Sequence, residues 1–294
     1  MIEEKEKIYE IKIENQAYPE KLRHIYKPPK RLFVIGNLPR EDKISLAVVG
    51  ARDCSYYGKE TALYFCKELS KYGIQIISGL ARGIDGYAHQ GALESEMPTF
   101  GILGCGIDIC YPKENSSLYK KMCKSGGILS EYPEGTPPLA GYFPMRNRII
   151  SGLADGIFVI EAREKSGSLI TVEYGLEQGK DIFVLPGRIN DNLSKGCNGL
   201  LKAGAIPITE PLDLLNYYGI ESSSNTMENK KNNKCLEMGE EMVYSRLCLV
   251  PKHVNQIVCE SCMPLYAVME SLISLEEKGF IKQVLKNYYI KLLE

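Results

Sequence analysis

"LAVVGARDCSYYG", residues 46–58, is an apolar run that stops at Gly50, meets an arginine at Arg52 and reaches a second glycine at Gly58. Four apolar residues closed by a glycine read as a buried strand and its exit turn. Gly50 lets the backbone turn sharply, and its missing side chain leaves room for an oxygen to approach the amides. The helix that starts near Gly58 aims its positive end into the same space, and Arg52 adds a full charge. The stretch is therefore a strand, a turn and a helix arranged to hold an anion. Neither the P-loop pattern G-x-x-x-x-G-K-[ST] nor the dinucleotide pattern G-x-G-x-x-G is present.

The same alternation extends outward. "ISLAVVG", "IQIISG", "PTFGILGCG", "GILSEYP", "GIFVIEA", "DIFVLPG" and "IPIT" read as strands, separated by amphipathic stretches such as "KETALYFCKELSKYG", "SSLYKKMCKSG", "LITVEYGLEQGK" and "EPLDLLNYYG". Near-continuous apolar runs alternating with helices predict an α/β fold, a doubly wound parallel sheet with helices on both faces. Ligands of such sheets bind at the carboxyl ends of the strands, where the strand order reverses. This unit is expected over 44–219, after a short N-terminal extension over 1–43. Residues 220–235 are polar and read as a linker. Residues 236–294 read as three short helices followed by a hairpin, the order of a winged helix.

With 294 residues, 44% hydrophobic and 25% charged, the composition is that of an ordinary globular protein. No apolar run approaches a membrane span, and "MIEEKEKIYE" is too charged for a signal peptide, so no membrane partner is expected. Ten irregularly spaced cysteines fit free thiols in a cytoplasmic protein. A net charge of −1 excludes a protein that coats a polyanion over its whole surface. Any nucleic-acid site must be a local patch.

Arginine placement locates that patch. Only six arginines fall between 41 and 219: Arg52, Arg82, Arg146, Arg148, Arg163 and Arg188. Each follows a predicted strand or opens the next helix, where a guanidinium fork can grip phosphate. "SGLARGIDGYAH" (78–89) repeats the glycine-and-arginine logic with Gly79 and Arg82; its Asp85 is read as a holder of loop amides. "EYPEGTPPLAGYFPMRNRIISGLA" (131–154) is read as a long loop carrying Arg146, Asn147 and Arg148. Residues two apart on a helix point in different directions, so one arginine faces the ligand while the other packs or pairs. Phe143 is either a stacking platform for a base or a loop anchor in the core. Lys165, Ser166, Gly167 and Ser168 open a helix with the makings of an anion nest.

These loops, with "LGCGIDICYPKEN", "KSGSLITVEYGLEQGKDIFVLPG" and "GCNGLLKAGA", fall in order over roughly 46–205, and the sequence resembles the DprA/Smf family of bacterial DNA-processing proteins. The resemblance implies an extended Rossmann domain that pairs as a homodimer, binds and protects single-stranded DNA, and helps load the RecA recombinase during natural transformation. The residues expected to meet DNA are Gly50, Ala51, Arg52, Tyr56, Gly58, Gly79, Arg82, Phe143, Arg146, Asn147, Arg148, Lys165, Ser166, Gly167 and Ser168. Residues 1–43 are too few for the full sterile-alpha-motif-like domain that many relatives carry.

Two rival readings remain. Gly167-Ser168 with Glu173 loosely resembles the helix start of nucleoside-monophosphate phosphoribohydrolases, but G-G-x-G-T-x-x-E is absent. Cys248, His253, Cys259 and Cys262 form C-x4-H-x5-C-x2-C, a possible zinc set. With no G-x-S-x-G and with His24, His89 and His253 scattered, the sequence points to a binding protein that is not an enzyme and needs no cofactor or metal.

Overall fold

In the computed structural model, residues 7–221 and 236–293 are described. The chain divides into two compact units, Met1–Ile220 and Glu221–Glu294.

The first unit opens with β1 (Ile8–Lys12), α1 (Glu20–Arg23) and β2 (Arg31–Gly36). The seven apolar runs then appear as β3 (Ser45–Val49), β4 (Gln75–Ser78), β5 (Thr99–Leu103), β6 (Gly127–Ser130), β7 (Gly156–Val159), β8 (Asp181–Val184) and β9 (Ile206–Pro207). Between them lie α2 (Tyr56–Lys71), α3 (Ile84–Glu94), α4 (Ser116–Ser125), α5 (Tyr142–Leu153), α6 (Gly167–Glu177) and α7 (Lys195–Lys202), and α8 (Pro211–Tyr217) follows β9. The sheet runs β1-β2-β6-β5-β4-β3-β7-β8-β9. Pairings from β6 to β9 are parallel.

Alternation along each strand divides the core between two faces. Ala47 and Val49 of β3, with Ile157 and Val159 of β7, join Ile149, Ile150 and Leu153 of α5 on one face. Leu46, Val48, Phe158 and Ile160 pack with Phe65 and Leu69 of α2 and Ile84 and Ala88 of α3 on the other.

The first unit differs from the sequence expectation in two places. The sheet is mixed, because β2 pairs antiparallel with β6 and β1 antiparallel with β2. Residues 8–36 thus belong to the sheet unit that the sequence starts at 44, and β2 covers what would otherwise be the open edge of β6. The stretch 131–154, read as a loop, contains α5. Pro144 hides this helix from a sequence reading. It stands in the first turn, where its missing N–H costs no hydrogen bond.

The second unit contains α9 (Met238–Ser245), α10 (Val254–Ser261) and α11 (Leu265–Glu277) around Val243, Ile257, Val268, Leu272 and Leu275. Its three-stranded antiparallel sheet joins β10 (Lys252–His253), β12 (Tyr288–Lys291) and β11 (Ile281–Leu285) in that order. The three helices and the closing hairpin follow the expected order, but Lys252 and His253, read as part of the second helix, form the short strand β10. Of the expected linker, residues 222–235 lie outside the described residues. Among the described residues no helix is by itself long and apolar enough to cross a membrane, and no three His, Cys, Asp or Glu side chains gather as metal ligands. His253 instead caps α10, its Nδ1 accepting from the Asn255 amide at 3.2 Å.

Candidate functional site

The strand order reverses between β3 and β7, which lie side by side. Strands β3 to β6 run outward in one direction and β7 to β9 in the other. This is the place where an open parallel sheet forms a crevice. A hollow of about 410 Å³ opens there. Its wall takes Gly50, Ala51 and Arg52 from the turn after β3, Ala81 from the turn after β4, Asp85 from the first turn of α3, Phe143, Arg146 and Asn147 from α5, and Arg163 with Lys165–Ser168 from the approach to α6 and its first residues. Ten of the fifteen residues expected to meet DNA therefore line one crevice.

The turn after β3 is held from behind. Glu161, two residues past β7, is 3% exposed and accepts from the Ser55 amide at 2.9 Å and the Ser55 hydroxyl at 2.5 Å. Burial pushes its carboxyl above the usual range, against those hydrogen bonds. Burial and the Glu161 charge raise the neighbouring Cys54 thiol to about 11, so it is a thiol at neutral pH. Gly58 packs on this latch, since a Cβ there would stand 2.4 Å from a Glu161 carboxylate oxygen. Gly58 thus builds the loop from below and does not line the crevice. Tyr56, in the first turn of α2, is half-buried and also lies off the lining. Gly50 meets Ile84 and the Glu161 carbonyl so closely that no side chain fits.

Arg146 lines the crevice from beneath. Expected as a phosphate fork, it is 4% exposed and already committed. Its Nη1 donates to the Gly79 carbonyl at 2.6 Å and also to the Ile102 carbonyl, and its Nε donates to Asn147 Oδ1 at 3.2 Å. Burial lowers it to about 10, with Arg52 adding to the fall and Asp85 opposing it, so it remains charged at neutral pH. Gly79 leaves the room it occupies. Asp85 accepts from the Gly79 amide at 3.2 Å, the loop-holding role the sequence suggested, and burial pushes its carboxyl upward. Arg146 is the floor of the crevice.

Arg148 is not at the crevice. Two residues further round α5, it is 4% exposed and Nη2 reaches both Glu131 oxygens at 2.8 Å. Of the two arginines, then, one sits beneath the site and one pairs inside the protein. Arg82 lines a neighbouring hollow that shares Arg52 with the crevice.

The accessible cations are Arg52, Arg163 and Lys165. All three are exposed, and none forms a salt bridge among the described residues. The Arg52 guanidinium carbon stands 5.8 Å from the Phe143 ring centroid, within cation–π reach. Phe143 is half-buried, and Tyr111, 45% exposed, lies 5.4 Å from it between centroids. Sequence reasoning missed Tyr111 as a site residue, although it lies within "LGCGIDICYPKEN"; nothing in the spacing brings the turn after β5 to α5. Opposite, Ser166 caps α6, its hydroxyl accepting from the Ser168 amide at 3.4 Å and lying 2.8 Å from the Ser168 hydroxyl. Gly167 is exposed and open to solvent. Cations, hydroxyls, an aromatic face and a helix start thus converge on one hollow, the components of a phosphate and base site. Glu173 is exposed and lies off this lining.

Residues 10–219 match the family described as DNA recombination-mediator protein A, which covers the sheet unit and stops before the C-terminal one. Protein Smf of Escherichia coli K12 is 44% identical over 206 residues, 70% of this chain and 55% of that protein. DNA processing protein DprA of Streptococcus pneumoniae is 43% identical over 201 residues, 68% of this chain and 71% of that protein. The X-ray structure of the Streptococcus pneumoniae protein superposes with a TM-score of 0.69 at 42% identity, covering 71% of this chain and 74% of that one. The structure of DNA processing protein A from Helicobacter pylori, which concerns that protein's single-stranded DNA binding mode, gives 0.65 at 32% identity, covering 71% and 95%.

Proposed function

The chain belongs to the DNA recombination-mediator protein A family, and from that premise we propose that it binds single-stranded DNA in the crevice at the sheet rim. The observation that carries this reading is the ring of unpaired, exposed Arg52, Arg163 and Lys165 around an aromatic face. Phosphates meet the three cations and the start of α6, and a base stacks at Phe143. Such contacts tolerate any sequence, because every base has a π-face and every nucleotide a phosphate. Duplex DNA keeps its bases paired and offers no face to Phe143.

The crevice is read as a binding site without chemistry of its own. Both buried carboxylates near it are occupied: Asp85 holds the Gly79 amide and Glu161 holds Ser55. Incubation with a nucleoside monophosphate is expected to release no free base. Protection of incoming DNA, delivery of the strand to the RecA recombinase, pairing into a homodimer and a cytoplasmic setting are carried by the family resemblance. The C-terminal unit is read as winged-helix-like from its order of helices and hairpin.

The deciding measurement is fluorescence anisotropy with an oligothymidylate and with a duplex of equal length, each over a salt series. Preference for the single strand, with an affinity that falls as salt rises, is expected. Equal affinity for both, or no salt dependence, overturns the reading.

A further inference from the structure

A second hollow, of about 930 Å³, opens at the same rim and runs between α3 and α4. Arg52 and Asp53 line both hollows, so one leads into the other. Its walls are firmly set, because the Asn115 side-chain amide at the start of α4 donates to the Leu80 and Ala81 carbonyls at 3.0 and 3.1 Å. Past Arg52 the groove meets Arg82, then Lys121 and Lys124 on α4. All three are exposed, and none forms a salt bridge among the described residues.

The spacing on α4 places these lysines. Ser117, Lys121 and Lys124 stand at i, i+4 and i+7 and share one helix face. The helix reads SSLYKKMCKS, with no acid to offset its lysines. At 1.5 Å per residue, Lys124 lies about 12 Å beyond the start of α4, room for further nucleotides past the crevice. Three acids also line the groove. Asp53 and Glu114 stand at its rim end, while Glu94 lies 3.6 Å from Lys67 and accepts from Gln90 at 3.2 Å. The lysine end is thus the more positive. An open groove with cations along one wall, continuous with a phosphate site, matches a flexible polyanion.

We propose that this groove continues the path of single-stranded DNA, its phosphates passing from Arg52 and Arg82 to Lys121 and Lys124. The inference rests on the crevice reading above. The test uses the full chain and two oligothymidylates, of about six and about twenty nucleotides, bracketing the crevice alone and the crevice plus groove. Lys121→Ala/Lys124→Ala is expected to leave the short oligonucleotide unaffected, to weaken the long one on the order of tenfold, and to flatten its salt slope by about 1.4, or about 0.7 for each lost phosphate contact. Lys121→Glu/Lys124→Glu should do the same more strongly. If neither lysine variant changes the long oligonucleotide while Arg52→Ala weakens both, the groove is overturned and the crevice stands. If Arg52→Ala changes neither length, the crevice reading falls and the groove with it.

Discussion

The guanidinium of Arg146 occupies the space a side chain on Gly79 would need: a Cβ there would stand 2.5 Å from both of its terminal nitrogens. The pair ties the ends of β4 and β5 to α5 beneath the crevice. Gly79→Ala should therefore destabilise the fold by about 1–3 kcal/mol through overpacking. Arg146→Ala should cost about 3 kcal/mol, because it leaves the Gly79 and Ile102 carbonyls unpaired and Asp85 without its counter-charge. Urea denaturation of the two variants checks both values, and a change under 0.5 kcal/mol in either would remove Arg146 from the framework.

Arg52 and Lys165 predict the opposite behaviour. Both are exposed and unpaired, so Arg52→Ala and Lys165→Ala should leave the unfolding midpoint almost unchanged. Each should weaken single-stranded DNA of any sequence and reduce the salt slope by about 0.7. Anisotropy titrations over a salt series read both quantities at once.

Phe143 should separate from the cations. Phe143→Ala is expected to cost about 1–3 kcal/mol of binding, the value of one stacked base, with the salt slope kept. Equal losses of affinity and slope would mean that the ring acts only by steering Arg52, whose guanidinium it faces.

His89 makes stability depend on pH. It is fully buried, with Nδ1 2.7 Å from the Thr99 hydroxyl and Nε2 unpartnered, and burial lowers it to about 3, with Arg146 adding to the fall. The unfolded chain binds a proton near pH 6.5 and the folded chain does not. Stability is thus full above pH 6.5 and falls by about 1.4 kcal/mol per unit from there toward pH 3. Asp85 and Glu161, raised by burial, act in the opposite sense, favouring the folded state as they take up protons. Comparison with His89→Asn isolates the histidine: the gap between the two unfolding curves should narrow steadily below pH 6.5, and a constant gap would exclude the effect.

Glu131→Ala strands the Arg148 guanidinium inside the protein, where Nε and Nη1 already have no partner. A loss of about 3 kcal/mol is expected, with the salt slope of DNA binding untouched. Circular dichroism melts and the same titrations test the two halves of that statement.

The strands, their parallel core and the rim location of the site were legible because they rest on local chemistry. An apolar run ended by glycine is a buried strand wherever it occurs, and successive strand–helix units force ligand loops to one edge of the sheet. β2 was not legible, since "RLFVIG" follows Pro28 and Pro29 and joins the main sheet by pairing with β6, about a hundred residues away in the chain. Tyr111 was missed for the same reason: its contact with Phe143 joins the loop after β5 to α5.

The sequence by itself determined which cations follow the strands: Arg52 and Lys165 stand in the turns after β3 and β7, and Arg146 and Arg148 on the segment between β6 and β7, whatever the packing. The tertiary structure alone decided which of them are free. A charge one position or one helical face away from solvent must find a partner or be neutralised, so Arg146 is spent on the Gly79 and Ile102 carbonyls and Arg148 on Glu131. Arg52 and Lys165 keep their charge for a ligand because no carboxylate pairs with either among the described residues.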